Sequence, residues 1–329
     1  MRHRVTSHRA RRLSRGLLVA GALLVVATPL AAQTFRTPWG DPDLQGTWTN
    51  QTLTALERPA EFAGKPVLTE AEAEAYEARL HQQNNADIRT PGTRRDVTVA
   101  YNDVWWDRGE RIVADRRTSL IVDPADGKIP PLTPAGQARA EASRRHAAAM
   151  GDNPASWEDL DVYSRCIIRS ALPRLSTGYN NNYEIVQTPG YVAILQEQIH
   201  DTRIIPLDGR PRLPGTPGQL LGESRGRFEG DTLIVETTNF TDEMRGATFR
   251  DATRSMVLVE RFRRVDANVI DYSFTVSDPE TWTRPWTVKM PWNRETGLIY
   301  EYACHEGNYG LANTLRAARK AEQDAQSKR

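Results

Sequence analysis

The chain has 329 residues, of which 39% are hydrophobic, 26% charged and only two are Cys. That is globular composition, and it excludes wholesale disorder, collagen-like repetition and a Cys-rich disulfide or zinc module. The formal charge of +1 hides an asymmetry: residues 1–32 carry six Arg and no acid, and without them 37 basic groups face 42 acidic ones, a net charge of −5. A mildly acidic body with no basic stripe argues against nucleic acid as a partner.

Arg and His crowd residues 2–15, Gly16 to Ala27 is nearly unbroken apolar sequence, and Leu30-Ala31-Ala32 follows. This is the charged, apolar and small-residue order of a secretory signal, so residues 1–32 are expected to be a signal peptide. An apolar run of about 12 residues is too short to cross a ~30 Å hydrocarbon core. Arg11-Arg12 leaves both the general and the twin-arginine export routes open. The mature protein is expected in the periplasm or outside the cell, without stable membrane insertion. In such a compartment Cys166 and Cys304 are expected to pair; two buried free thiols are the alternative.

Residues 33–68 are extended and rich in turn formers. Thr69 with Glu72 three positions on forms a capping box that opens a helix over about 69–82. Arg117 to Asp123 has the pattern of a short strand. Thr133-Pro134 starts a second helix over about 133–150, with Pro at its first position. From Tyr183 onward strands alternate with turns: 184–187, 191–195, 202–206, 227–229, 232–236, 256–262, 269–275, 286–290 and 298–302. Short connections such as Gly230-Asp231 make this an antiparallel meander and not a set of βαβ units. The tail from Leu311 is a helix by composition. The expectation is a single mainly β domain over 33–329, an antiparallel lipocalin-like barrel or strongly curved sheet with peripheral helices.

Four clusters carry candidate chemistry. His200 with Asp201, and His305 with Glu306, each place an acid beside an imidazole; a carboxylate can fix the tautomer of a His and raise its basicity. His81 and His146 lie in charge-rich helices and are expected to be solvated. Tyr179, Asn180 and Asn182, in the run Thr177 to Tyr183, offer amides for hydroxyls or a developing oxyanion and a ring for stacking; the alternative is a turn that the Asn side chains cap. Trp105 and Trp106, in the run Tyr101 to Asp107, suit sugars or planar aromatics, though such rings also serve as core. Arg203 is assigned to an anionic group, and Asn308 and Tyr309 to substrate. No H-E-x-x-H, P-loop or G-x-G-x-x-G pattern occurs, and neither a metal nor a cofactor is expected. Gly222-Glu223-Ser224-Arg225-Gly226 matches G-x-S-x-G letter for letter, but it lies among strands, without the strand–turn–helix setting that activates such a serine.

Residues 42–48, 117–124, 179–187, 199–211, 229–240 and 300–310 together resemble a group of exported bacterial proteins of unassigned function, a resemblance that implies secretion and carries over no catalytic residue. Gly46-Thr47-Trp48 is also similar to the G-x-W element that opens lipocalin-type barrels. The two helical insertions depart from a minimal lipocalin. The functional expectation is an exported enzyme doing cofactor-independent acid–base chemistry (lyase, isomerase or hydrolase) on a small hydroxylated or aromatic molecule. In that reading His305 is the base, Glu306 or Asp201 orients an imidazole, and His200 is the acid. A periplasmic binding or carrier protein without turnover is the alternative, and a structural envelope protein a third.

Overall fold

The computed structural model describes residues 35–328 except 94–95, 97–100, 152, 170–171, 213–216 and 242–248, together with the backbone but not the side chain of His200. The expected signal peptide lies outside the described residues. Eleven strands form one antiparallel sheet: β1 (Gly46–Thr49), β2 (Ile121–Asp123), β3 (Asn182–Thr188), β4 (Tyr191–Gln196), β5 (Thr202–Pro206), β6 (Glu223–Glu229), β7 (Thr232–Thr238), β8 (Val257–Arg264), β9 (Val269–Ser277), β10 (Trp286–Lys289) and β11 (Trp292–Arg294). Nine of them run in the order β5-β4-β3-β1-β11-β9-β8-β7-β6, while β10 pairs with β9 and with β2 on a side branch. The meander expected from Tyr183 onward is present: β3 to β5 and β6 to β10 each pair with their successors. The short strand β1 stitches the two halves, lying between β3 and β11.

Alternation decides which face is dry. Along β9, Ile270, Tyr272, Phe274 and Val276 all point inward and are fully buried, and they join Trp48, Phe262, Trp286 and Trp292 in one aromatic core. The sheet curls until its two ends approach. At Gly226 on β6 a Cβ would stand 2.8 Å from Ile205 Cγ2 of β5 and 2.7 Å from Leu207 Cδ2. The absence of a side chain there lets the barrel come close to closing, which is the lipocalin-like arrangement expected.

The Gly46-Thr47-Trp48 element has a physical role. Gly46 holds φ +124°, and a Cβ on it would strike the Arg294 guanidinium. Arg294 and Arg264 lie 5.2 and 5.4 Å from the fully buried Trp48 ring, whose indole donates to the Leu44 carbonyl at 2.9 Å. A glycine two residues before the tryptophan thus makes room for one of the two arginines that flank it.

Among the described residues three long α-helices lie outside the strand order. α1 (Glu70–Asn84) begins with the reciprocal Thr69–Glu72 capping box, and α2 (Pro134–Met150) begins with Thr133 as N-cap and Pro at the first position. α3 (Tyr309–Gln326) ends the described chain. Among the described residues no helix is long and apolar enough to cross a membrane.

Two expected elements differ. Only Ile121–Asp123 of the segment 117–123 is a strand, and residues 298–302 take no strand at all. The hydrophobic pattern of 298–302 is that of a half-buried strand, yet Leu298 and Tyr300 are largely exposed. The place beside β1 and β9 is filled by Trp292–Arg294. Cys304 instead draws the following segment over to Cys166, in a disulfide with Cα atoms 5.6 Å apart and a sequence separation of 138. The alternative of two free thiols is excluded.

Val is favoured over Gly in strands, yet Gly226→Val is expected to lower stability by about 1–3 kcal/mol through overpacking at the seam; urea unfolding measures it, and a stabilised variant would show that the seam is open. Replacing both cysteines by Ser is expected to cost about 4–5 kcal/mol, because a long loop regains its freedom in the unfolded chain; the shift in denaturation midpoint between oxidised and reduced protein checks this.

Candidate functional site

Two sequence clusters that lie some seventy residues apart pack directly on each other. Gly178 accepts the Trp106 ring where its own Cβ would be, at 2.6 Å from the nearest ring carbon. The Asp107 N–H donates to the Gly178 carbonyl at 2.7 Å. Asn181, buried, donates to the Asp107 carbonyl at 2.6 Å and accepts from the Thr177 N–H at 2.7 Å. Asn180 between them sits at φ +53°, a left-handed conformation that Asn tolerates well. The middle Asn of the three is therefore the capping residue, and its two neighbours are left for other work. Trp106 meets Tyr179 edge to face at 5.8 Å and carries the Arg108 guanidinium on its ring at 3.9 Å.

These residues form one wall of a cleft of about 830 Å³. The start of β3 and the end of β4 supply Asn182 and Glu197, whose backbones pair through Glu197 N–H to the Asn182 carbonyl at 3.0 Å. The disulfide-tethered segment 301–308 supplies the facing wall. Three phenols meet at its base: the Tyr163 hydroxyl lies 2.9 Å from that of Tyr179 and 2.8 Å from that of Tyr302. Burial pushes all three up from the ordinary tyrosine range, so they stay protonated and able to donate.

Four acids line this cleft, and two of them, Glu197 and Asp107, are set back from its exposed rim. Glu197 is only 6% exposed. Burial raises its pKa, against lowering contacts from the Asn180 amide and the Asn182 N–H, and the Asp107 charge raises it further. Asp107 is also raised, first by burial and then by the charge of Glu295, with Asn181 opposing. Among the described residues neither has an arginine, lysine or histidine as ion-pair partner. An acid held in a partly dry site without a counter-charge is the usual signature of a proton-transfer group.

Of the residues expected from sequence, Tyr179, Asn180, Asn182, Trp105, Trp106, Glu306 and Asn308 line this one cleft, beside the Cys166–Cys304 bridge. Others do not join them. His305 is exposed and is not among the lining residues, and Tyr309 is largely exposed at the start of α3. His200 closes a short 3-10 turn after β4, and its side chain lies outside the described residues. Asp201 and Arg203 line a separate cavity of about 30 Å³ inside the barrel, where Asp201 accepts from Arg174 at 2.7 Å and Arg203 grips Glu260 with two hydrogen bonds. The charge of Arg203 is thus met by Glu260, not by a ligand anion. That cavity has room for about one water molecule. His81 and His146 bond to the Glu110 carbonyl and to Asp159. Ser224 is buried in β6 with its hydroxyl 2.9 Å from that of Thr237, a cross-strand pair and not a nucleophile elbow. Among the described residues no group of three or more His, Cys, Asp or Glu side chains is placed to hold a metal ion.

Sequence reasoning missed Asp107, Glu197, Tyr163 and Tyr302. Asp107 closes the aromatic run already singled out, and only its neighbours drew attention. Glu197 follows an apolar strand as one of three consecutive polar residues, Gln196-Glu197-Gln198, and nothing local marks the middle one as buried. No family model matches the chain, and neither the curated proteins nor the solved structures contain a match to it.

Proposed function

We propose that the protein is an exported enzyme that does acid–base chemistry, without a cofactor, on a small hydroxylated or aromatic molecule held in the cleft between Trp106, Glu197 and Tyr302. The observation that carries the reading is the pair of carboxylates, Asp107 and Glu197, both raised by burial and both facing the same 830 Å³ space. The charge of Asp107 raises Glu197 beyond what burial does, which favours Glu197 as the proton donor of the pair. The two acids thereby divide the work: Asp107 accepts a proton as base and Glu197 donates one as acid. Asn180 and Asn182 receive substrate hydroxyls, and the phenol of Tyr179 donates to an oxygen that gains charge. Elimination, isomerisation and hydrolysis all fit this set. The signal-like N-terminus and the disulfide support a periplasmic or secreted location.

The acids Asp107 and Glu197 take the place of His305 as the centre of the reading, since His305 is exposed and outside the cleft lining, while the side chain of His200 lies outside the described residues. The carrier alternative uses the same cleft and omits proton transfer.

The test combines activity and stability. On a panel of chromogenic glycosides, esters and hydroxy acids, Asp107→Asn and Glu197→Gln are each expected to lower kcat/KM of the best substrate by roughly 10²–10⁴. A carboxyl whose folded pKa is raised stabilises the fold while protonated, and that contribution is lost as pH rises through the folded value. Glu197→Gln is therefore expected to match the native protein near pH 4 and to equal or exceed its Tm at pH 7–8. A drop in Tm at pH 7–8 would make Glu197 structural, and ligand binding without turnover of any panel member would favour the carrier.

A further inference from the structure

The charge on the cleft is one-sided. Asp107 and Glu197 sit inside it, and Glu301 and Glu306 stand exposed at its mouth. Among the described lining residues there is no Lys, Arg or His. The nearest guanidiniums lie behind the rings: Arg108 is stacked on Trp106 at 3.9 Å, and Arg169 is stacked on Tyr163 at 4.5 Å, where it also donates to Gln198 at 2.9 Å. An anionic ligand would meet only like charge here.

The rest of the lining is aromatic to an unusual degree. Tyr101, Trp105, Trp106, Tyr163, Tyr179 and Tyr302 all contribute. Trp105 is 69% exposed, and Tyr101 and Val104 beside it are also exposed, so this rim is not core. Ring faces carry negative potential and attract cations, most strongly where water is thin. Glu197, nine-tenths buried and without a counter-ion among the described residues, places a second carboxyl at the back of the same space, one that a neighbouring cation would hold in its charged form. In a folded chain a buried acid without a partner is costly, and an incoming cation removes that cost.

We infer that the molecule this cleft receives is an organic cation, a primary or quaternary ammonium compound, seated against the exposed Trp105 ring with its charge toward Asp107 and Glu197. The inference rests on the cleft being the ligand site, as proposed above, and it narrows the substrate class. A neutral hydroxylated molecule would use the Asn side chains and the rings but would leave the four acids unanswered.

The probes are choline and its uncharged isostere 3,3-dimethylbutan-1-ol, titrated into the full mature chain at pH 7.5 and low salt, with tryptophan fluorescence as readout. Choline is expected to give a saturable change and to bind about tenfold or more tightly than the isostere, with the advantage shrinking as NaCl is raised. Trp105→Ala is expected to reduce the response to both probes. Asp107→Asn and Glu197→Gln are expected to weaken choline and leave the isostere unchanged. Equal binding of the two probes, a choline affinity that ignores both acid variants, or no saturable choline binding overturns the inference. None of these results touches the acid–base reading, which fails only on the turnover and Tm measurements described for it.

Discussion

The arrangement depends on an ion pair held across the barrel interior. Arg203 on β5 and Glu260 on β8 stand far apart in strand order, at one end of the sheet and near the other. They bond to each other only because the sheet has curled round on itself. Glu260 is 2% exposed and also accepts from the Tyr272 hydroxyl of β9 at 2.9 Å, so a third strand is tied in. Burial, and then the charge of Glu260, hold the Tyr272 phenol well above its usual range and keep that donor in place. A buried pair of this kind adds little net stability, but removing one partner is severe. Its consequence is geometric: it fixes which strands face each other.

That register reaches the cleft through simple alternation. On β3, Tyr183 points inward, stacks on Trp292 at 4.3 Å and accepts from Asn50 at 3.1 Å, and its phenol is pushed up to about 12 by burial. Asn182, one residue earlier, therefore points to the opposite face and into the cleft. Next to them, Gln196 at the end of β4 lines the interior cavity and Glu197 lines the cleft. Along β3 consecutive residues serve the inside and the outside in turn, while Glu197 follows the end of β4 in a helical conformation that sets it on the cleft. A one-residue slip of β3 would send Asn182 into the barrel, and the Arg203–Glu260 pair, two strands away, opposes it.

What the sequence disclosed follows the range of the forces involved. Local chemistry was legible: the Thr69–Glu72 box, the Thr133-Pro134 helix start and the alternation along 269–275 each depend on residues a few positions apart. The G-x-W element pointed to the right architecture, although its cause, the Arg294 guanidinium filling the space over Gly46, comes from the far end of the chain. The aromatic run 101–107 and the Asn run 180–182 were both marked, but nothing in either said that Gly178 would receive the Trp106 ring. Glu197 was not legible because its burial is a property of the tertiary fold. Residues 298–302 misled for the converse reason: their pattern suits a strand, and the tether at Cys304 with the occupied place beside β1 gave them another position.

The buried acids of this chain differ in how their charge is met. Glu260 and Asp201 are screened from water by the barrel, and each has an arginine. Asp278, equally buried, has none, but accepts from the Thr253 and Glu280 N–H groups and from the Thr253 and Thr281 hydroxyls. Where an acid serves the fold, its negative charge is met in full. Glu197 is nearly as inaccessible, yet among the described residues it has amide groups and no cation against it, the Asn182 N–H and the side chains of Asn180 and Asn182, with a second acid raising its pKa further. We attribute the retention of this acid at the back of an open aromatic cleft to the proposed ligand, since a proton or a bound cation would complete it.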